Sequence, residues 1–279
     1  MTNKDFESVI PTAILTAYPR TLTDIPYAKE VFNVLNKDKI PSNLIVDKLA
    51  VELEARYKLI SKLLEESNIN QILELASGYS TRGLDLTVRN DQMSYVELDL
   101  PQVGDKKIEI LKTFTTIPKN LHVISGNALN KEDVDKCEQY FDEESQIAIA
   151  NEGLLRYLNF DEKKHVATNI RNLLSKHGGL WITCDATPRK FIANQDANLP
   201  DFNKSLSKIS DRNNASWRFS NIGHVKEFFD EIGFAIESVH PLSEVKEELT
   251  SPKTLDLNAR QVDDLLKDAI VVVMKVKER

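Results

Sequence analysis

The chain is poor in the residues that staple a fold, coordinate a metal or cradle a phosphate. Only two cysteines, Cys137 and Cys184, occur in 279 residues. They form no Cys-x-x-Cys pair, so neither a disulfide framework nor a zinc site is indicated. The five histidines are scattered, and no Gly-x-Gly-x-x-Gly motif occurs among the nine glycines. The longest apolar run, Ala269 to Met274, is far too short to span a bilayer. The opening residues, MTNKDFESVI, contain no apolar signal region, and the expectation is a cytoplasmic protein. Positive charge is also in deficit, with 36 Lys and Arg against 43 Asp and Glu and a net charge of -7. A broad nucleic-acid surface needs a basic footprint, so a tRNA substrate is disfavoured. What remains, 41% hydrophobic and 28% charged residues, is ordinary soluble composition at a length suited to one large α/β domain.

The stretch Gln71 to Arg82, QILELASGYSTR, reads as a buried strand running into a turn of small residues, Ala76-Ser77-Gly78. Small residues let a ligand approach the backbone closely. A helix is expected from about Ser80, with its free first-turn amides facing the same place. Ala76 stands where a dinucleotide fingerprint has its first glycine and Thr81 where it has its third. A Rossmann-like site for a ligand without a pyrophosphate fits better. Glu74 lies inside the strand, where an isolated carboxylate is costly, and it is expected to accept hydrogen bonds from the amides of the turn.

The next strand, Ser94 to Leu98, ends in Asp99-Leu100-Pro101. Asp99 follows the glycine turn by about 20 residues, the spacing at which a strand-end acid accepts from both ribose hydroxyls. Its plainer alternative is a helix cap before Pro101. Further strands are expected at Leu121 to Ile124, Gln146 to Ala150, Leu180 to Cys184, Phe234 to His240 and Ala269 to Val276. Helical spacing of apolar residues separates them, as in Leu49, Leu53, Tyr57, Ile60 and Leu64, or Val225, Phe228, Phe229 and Ile232. The resulting fold class is α/β, a Rossmann-like sheet of seven strands, six of them parallel, with helices on both faces. Ligands in such sheets sit outside the carboxyl ends of the strands, so Gly78, Asp99, Asn127, Glu152 and Asp185 should converge on one rim.

The order ILELASGYSTR, YVELDLP and EGLLRYL resembles the leucine carboxyl methyltransferase family, which uses S-adenosylmethionine and includes O-methyltransferases of polyketide biosynthesis. The resemblance runs from about Asp47 to the C-terminus, with a fainter match over Pro11 to Val31. It implies a class I methyltransferase domain over residues 47–279 and an N-terminal lid over residues 1–46. It also implies S-adenosylmethionine as cofactor, with S-adenosylhomocysteine as product. Arg56 matches the family position whose guanidinium holds the methionine carboxylate; otherwise it would simply pair with Glu52. Glu152 becomes a cofactor contact near the methionine part, or a cap on the turn Gly153 to Leu158. Gly78, Leu100 and Ala128 join Asp99 and Glu74 around the cofactor. Asn127 stands where related enzymes carry an acid facing the adenine amino group, and an amide oxygen still accepts there; the alternative is a simple Gly-Asn turn.

For catalysis the candidates are Tyr157, which otherwise belongs to the core, and His224, a base needed only if the acceptor oxygen is protonated. His240 lies on the same rim with less claim. Tyr18, Arg20 and Trp217 are candidate substrate contacts, from the N-terminal segment and from an insert over about Pro188 to Ser220. The charged stretch Pro241 to Asp268 reads as a solvated helical addition, with an oligomer contact as one use. The expected activity is O-methylation of a small-molecule carboxylate or hydroxyl. Alternatives are carboxyl methylation of a protein C-terminus, a non-catalytic binder of the cofactor and, disfavoured by the missing glycines, a nicotinamide-dependent oxidoreductase.

Overall fold

Successive residues of a strand face opposite sides of a sheet, and here both sides are apolar, so both need covering. The computed structural model describes residues 10–35, 46–199, 210, 212 and 214–278. Its strands are β1 (Gln71–Leu75), β2 (Ser94–Asp99), β3 (Leu121–Ser125), β4 (Ile147–Asn151), β5 (Gly179–Thr183), β6 (Phe234–Pro241) and β7 (Ile270–Val276). They form one sheet in the order β3-β2-β1-β4-β5-β7-β6. Strands β1 to β5 pair in parallel, whereas β7 runs antiparallel to both β5 and β6. Six strands therefore share one direction, as expected, and β7 alone reverses. The chain moves outward through β2 and β3, then returns to place β4 on the other side of β1. That reversal opens a crevice beyond the carboxyl ends of β1 and β4, where open α/β sheets hold ligands.

The described α-helices are α1 (Ile10–Arg20), α2 (Ala28–Leu35), α3 (Leu49–Glu66), α4 (Arg82–Arg89), α5 (Pro101–Leu111), α6 (Lys131–Asp135), α7 (Phe160–His177), α8 (Arg189–Asn198), α9 (Ile222–Ile232), α10 (Ser251–Thr254) and α11 (Ala259–Leu266). Ile72, Ala148, Ala150, Val271 and Val273 pack with apolar residues of α3, α4, α8 and α11. Their neighbours Leu73, Leu75, Ile147, Ile149, Val272 and Met274 pack with α7 and α9 on the other side. The five residues spaced along α3 at helical intervals, Leu49 to Leu64, are all buried. Helix α7 begins with a reciprocal cap between Asn159 and Glu162, which satisfies backbone donors at its first turn.

Two expectations change. The helix after β1 begins at Arg82 rather than Ser80, because the Ser80 amide closes a turn onto the Ser77 carbonyl and the Thr81 hydroxyl donates to Pro26. The stretch Pro241 to Asp268 is more than a solvated addition. Its Leu242, Val245, Val262, Leu265 and Leu266 are buried in the core that includes α3, and Glu54 of α3 accepts from the amides of Thr250 and Ser251 at 2.8 Å each. Among the described residues, no helix is long and apolar enough to cross a membrane.

Gly179, where α7 hands over to β5, has φ of +105° and leaves no room for a side chain. A Cβ there would sit 2.0 Å from the Ile147 carbonyl oxygen. Gly179→Ala is expected to lower stability by at least ~1–3 kcal/mol, read as a shift of the urea midpoint.

Candidate functional site

Two hollows lie along the rim formed by the carboxyl ends of the strands. The first, about 100 Å³, is bounded by Ala76 to Gly78, Asp99, Arg56 and Glu152, and by Thr12, Ala13, Thr16 and Arg20 of α1. The second, about 80 Å³, is lined by Leu98, Gly126 to Leu129, Leu154 and Leu158. They share Ala76, Asp99, Leu100, Gly153 and Tyr157, and so form one bent groove over the crevice between β1 and β4.

The turn at the end of β1 is held from β2. Ala76 and Gly78 both adopt left-handed backbone, with φ of 54° and 53°. That conformation is routine for glycine and costly for alanine. Asp99 stabilises the turn: one carboxylate oxygen accepts from the Gly78 amide at 2.6 Å and the other from the Leu100 amide at 2.7 Å. Each oxygen keeps acceptor capacity towards the groove. Burial pushes the Asp99 carboxyl above its ordinary value, although these two amides and Lys107 pull the other way. Asp99 does not cap the following helix; the cap position of α5 is Leu100, with no side-chain bond.

A buried chain of charges runs behind this turn. Arg82, the first residue of α4, is fully buried and pairs with Glu74 of β1 and, at 2.9 Å, with Glu152 after β4. Glu152 also binds Arg20 of α1 at 3.0 Å. Burial works against the Glu152 charge, but Arg20, Arg82 and Arg56 outweigh it and hold its pKa below the ordinary carboxylate value. The turn after Glu152 is organised by a different acid. Asp185, just past β5, accepts from the amides of Gly153, Leu154 and Leu155 and from the Asn151 side chain.

A sequence profile of the leucine carboxyl methyltransferase family matches residues 22–171, more than half of the chain. The chain belongs to this methyltransferase family. No curated protein matches it. Among solved structures, it is similar to a DUF574 family protein from Streptomyces avermitilis, with 12% identity, a TM-score of 0.57 and coverage of 96% of this chain and 97% of that one. An O-methyltransferase family protein from Burkholderia thailandensis shares 14% identity at a TM-score of 0.51, over 83% of this chain and 58% of that one. Human N-acetylserotonin methyltransferase, solved in complex with SAM, shares 11% identity at a TM-score of 0.50, over 90% and 60%. Such identities speak for the fold, which is that of a class I methyltransferase.

In this methyltransferase the groove collects Gly78, Asp99, Leu100, Asn127, Ala128, Glu152, Arg56, Arg20 and Tyr157. Arg56 is buried rather than exposed, lines the groove and also pairs with Glu52 one turn earlier on α3. The Asn127 side-chain oxygen accepts from the Leu129 amide at 3.0 Å, so the turn reading holds there as well. Five expectations are corrected. Glu74 does not accept from the turn amides and does not line either hollow; its oxygens bind Arg82 and, at 2.8 Å, the Tyr95 hydroxyl. His224 stacks on Phe160, with ring centroids 5.0 Å apart, and accepts from Ser220, away from both hollows. Trp217 stands outside them too, its ring against the Arg212 guanidinium at 5.2 Å. Tyr18 packs edge-on against Phe32 of α2, at 5.4 Å, and is not part of the lining. Nor does Glu152 cap its turn, since Asp185 has that role. His240 sits between Ser238 and Glu244, on β6 at the far edge of the sheet. Of the insert over Pro188 to Ser220, residues 200–209, 211 and 213 lie outside the described residues, as do residues 1–9 and 36–45 of the N-terminal segment.

Sequence reasoning gave no role to Arg82, Arg156 or Arg218. Arg82 had a signal in the buried acid eight positions earlier, which needs a cation partner; Arg156 and Arg218 stand in otherwise apolar runs, LLRYL and WRF. Removing the central cation should expose the network's cost. Arg82→Leu leaves Glu74 and Glu152 short of a buried partner, and the expected loss is roughly 3–5 kcal/mol in a urea titration at pH 7, far beyond that of an exposed pair such as Arg89 with Glu65.

Proposed function

We propose that the protein transfers the methyl group of S-adenosylmethionine to a carboxylate or hydroxyl oxygen of a small molecule. The observation that carries this reading is the Asp99 carboxylate. It is fixed by two amides, faces the junction of both hollows and retains lone pairs where a ribose diol would donate. The neighbouring surfaces fit the rest of such a ligand. The second hollow is walled mainly by Leu98, Leu100, Ala128, Leu129 and Leu158, an apolar slot for a flat base, with the Gly126–Asn127 backbone at its edge. The first hollow supplies Arg56 for a carboxylate and Glu152 for an ammonium, although Glu152 would share its charge with two arginines. The bound donor would supply an electrophilic methyl group, and S-adenosylhomocysteine would remain.

The residues of the chain have modest work in such a displacement: to align the acceptor oxygen, keep water out and hold no charge that opposes the transfer. No histidine lines either hollow among the described residues. An acceptor that is already ionised, such as a carboxylate with an ordinary pKa of about 4, suits a groove of this kind. For a hydroxyl acceptor, Tyr157 is the group in place, lining both hollows. Helix α1 closes one side through Thr12, Thr16 and Arg20, in keeping with residues 1–46 as a lid on a catalytic domain of residues 47–279. The Arg20–Glu152 pair would fasten that lid.

Two substitutions test the donor assignment by calorimetry. Asp99→Ala should weaken S-adenosylhomocysteine binding by at least about tenfold, or ~1.4 kcal/mol; unchanged affinity would remove the ribose role. Arg56→Gln should weaken S-adenosylhomocysteine much more than adenosine, because only the former carries the amino-acid carboxylate. Equal losses would show that Arg56 acts through the fold alone.

A further inference from the structure

Ser77 bounds the first hollow, and two buried charges meet behind it, outside both hollows. Lys107 of α5 is 3% exposed and Glu97 of β2 is fully buried. The Lys107 ammonium pairs with one Glu97 carboxylate oxygen at 2.5 Å and donates to the Ser77 hydroxyl at 3.2 Å. That hydroxyl lies 3.5 Å from the same oxygen. The other Glu97 oxygen has no hydrogen-bond partner among the described residues. It faces Gly83 of α4, where a Cβ would stand only 2.5 Å away. A buried carboxylate left short of partners is costly, and an apolar pair of similar size often serves a fold as well as a buried ion pair. Stability alone is therefore a weak reason for these two charges.

Their position supplies a better one. Glu97 and Asp99 stand two residues apart on β2, and Glu74 lies beside Glu97 in the register of β1, so three acids share one face of the sheet. Arg82 pairs with Glu74, whereas Lys107 acts on both Glu97 and Asp99. Burial pushes the Glu97 carboxyl up to about 7; Lys107 opposes this, and Glu74 and Asp99 add to it. Asp99, raised by burial, is pulled back by the Gly78 and Leu100 amides and then by Lys107. On the turn itself, burial and then Asp99 push the Tyr79 phenol up to about 12, so it stays neutral. Strand β3 sets Val123 and Ser125 alongside, the latter bound to the exposed Asp105 of α5. An ionised carboxylate offers acceptors to two ribose hydroxyls, whereas a protonated one has turned an oxygen into a donor.

We propose that Lys107 is a positioning residue for the methyl donor: without touching it, Lys107 holds the turn after β1 through Ser77 and supplies the positive charge opposite which Asp99 accepts the ribose hydroxyls. This rests on the ribose role of Asp99 proposed above and adds the group that governs it. Glu97 has the supporting part. Paired with it, the long Lys107 side chain is kept under the turn instead of reaching out to water.

The test is a pH profile of donor binding by the intact chain. Lys107→Met strands Glu97, so the double variant Glu97→Gln with Lys107→Met, which leaves neither charge unpaired, is measured beside it. Calorimetric affinities for S-adenosylhomocysteine and for adenosine are taken from about pH 6 to about pH 8.5, each relative to the wild-type chain at the same pH. Without the ammonium the Asp99 carboxyl rises further; more of it is protonated at the acid end, and the ionised form returns as the pH rises. Both variants should therefore lose at least about tenfold at about pH 6, with the loss shrinking towards about pH 8.5 and equal for the two ligands, since each carries the ribose. A folded variant whose affinity stays within about twofold of wild type at every pH overturns the proposal, as does a loss independent of pH or confined to S-adenosylhomocysteine. Failure of the double variant to fold overturns it too, because the pair would then serve the fold. If Asp99→Ala weakens binding and the Lys107 variants do not, this proposal fails alone. If Asp99→Ala leaves affinity unchanged, the donor reading fails and takes this proposal with it.

Discussion

The structure depends on one buried guanidinium. Arg82 joins Glu74 in the first strand to Glu152 beyond the fourth, and Glu152 in turn holds Arg20 on the N-terminal helix. Charges this far from water are tolerated only when each has a partner in good geometry, so the four side chains fix one another. The consequence is geometric. The ends of β1 and β4 flank the point where strand order reverses, and the network ties those two ends and α1 together behind the groove. The side chain of Arg82 is further fixed by the Ser61 hydroxyl at 3.2 Å and by the Tyr57 ring, whose centroid is 5.0 Å from the guanidinium carbon. Helix α3 is thereby drawn into the same unit.

A second set of acids does the local work. Asp99 holds the turn after β1, and Asp185 holds the turn after β4, each by accepting backbone amides. Both lie just at or past the carboxyl end of a strand neighbouring the one whose turn they stabilise. The parallel register makes this possible: β1 aligns with β2 and β4 with β5 residue for residue, so the end of one strand reaches the turn of the next. Ala76 is held in left-handed backbone by the same surroundings, including a 2.8 Å bond from its amide to the Leu98 carbonyl. Strain of that kind persists where neighbouring structure over-determines the turn.

Much of the fold was legible because its signals are periodic. The apolar spacing of α3 and α9 and the short β-prone runs gave the elements to within a few residues, and the separation of strands by helices gave a mostly parallel sheet. Gly78, Asp99 and Asn127 were readable as rim residues because each follows a strand, and strand ends of one direction share an edge. The misplacements have a common cause. Glu74 was given turn amides as partners because they are its neighbours in sequence, whereas its partner is a cation eight residues away that folds back over it. His224 was placed on the rim as the candidate base, but the aromatic cluster of Phe160, Phe219 and Phe228 claims its ring.

The sequence by itself determined the alternation of elements, the rim and the family, since these follow from local patterns of side-chain polarity and from three short motifs. Only the tertiary structure decided which acids bind amides and which bind arginines, and which strand reverses. Charge pairing acts through space over a few ångströms, and the oppositely charged residues that meet behind the groove stand up to 132 positions apart, from Arg20 to Glu152. No local pattern carries that information; the strand order does.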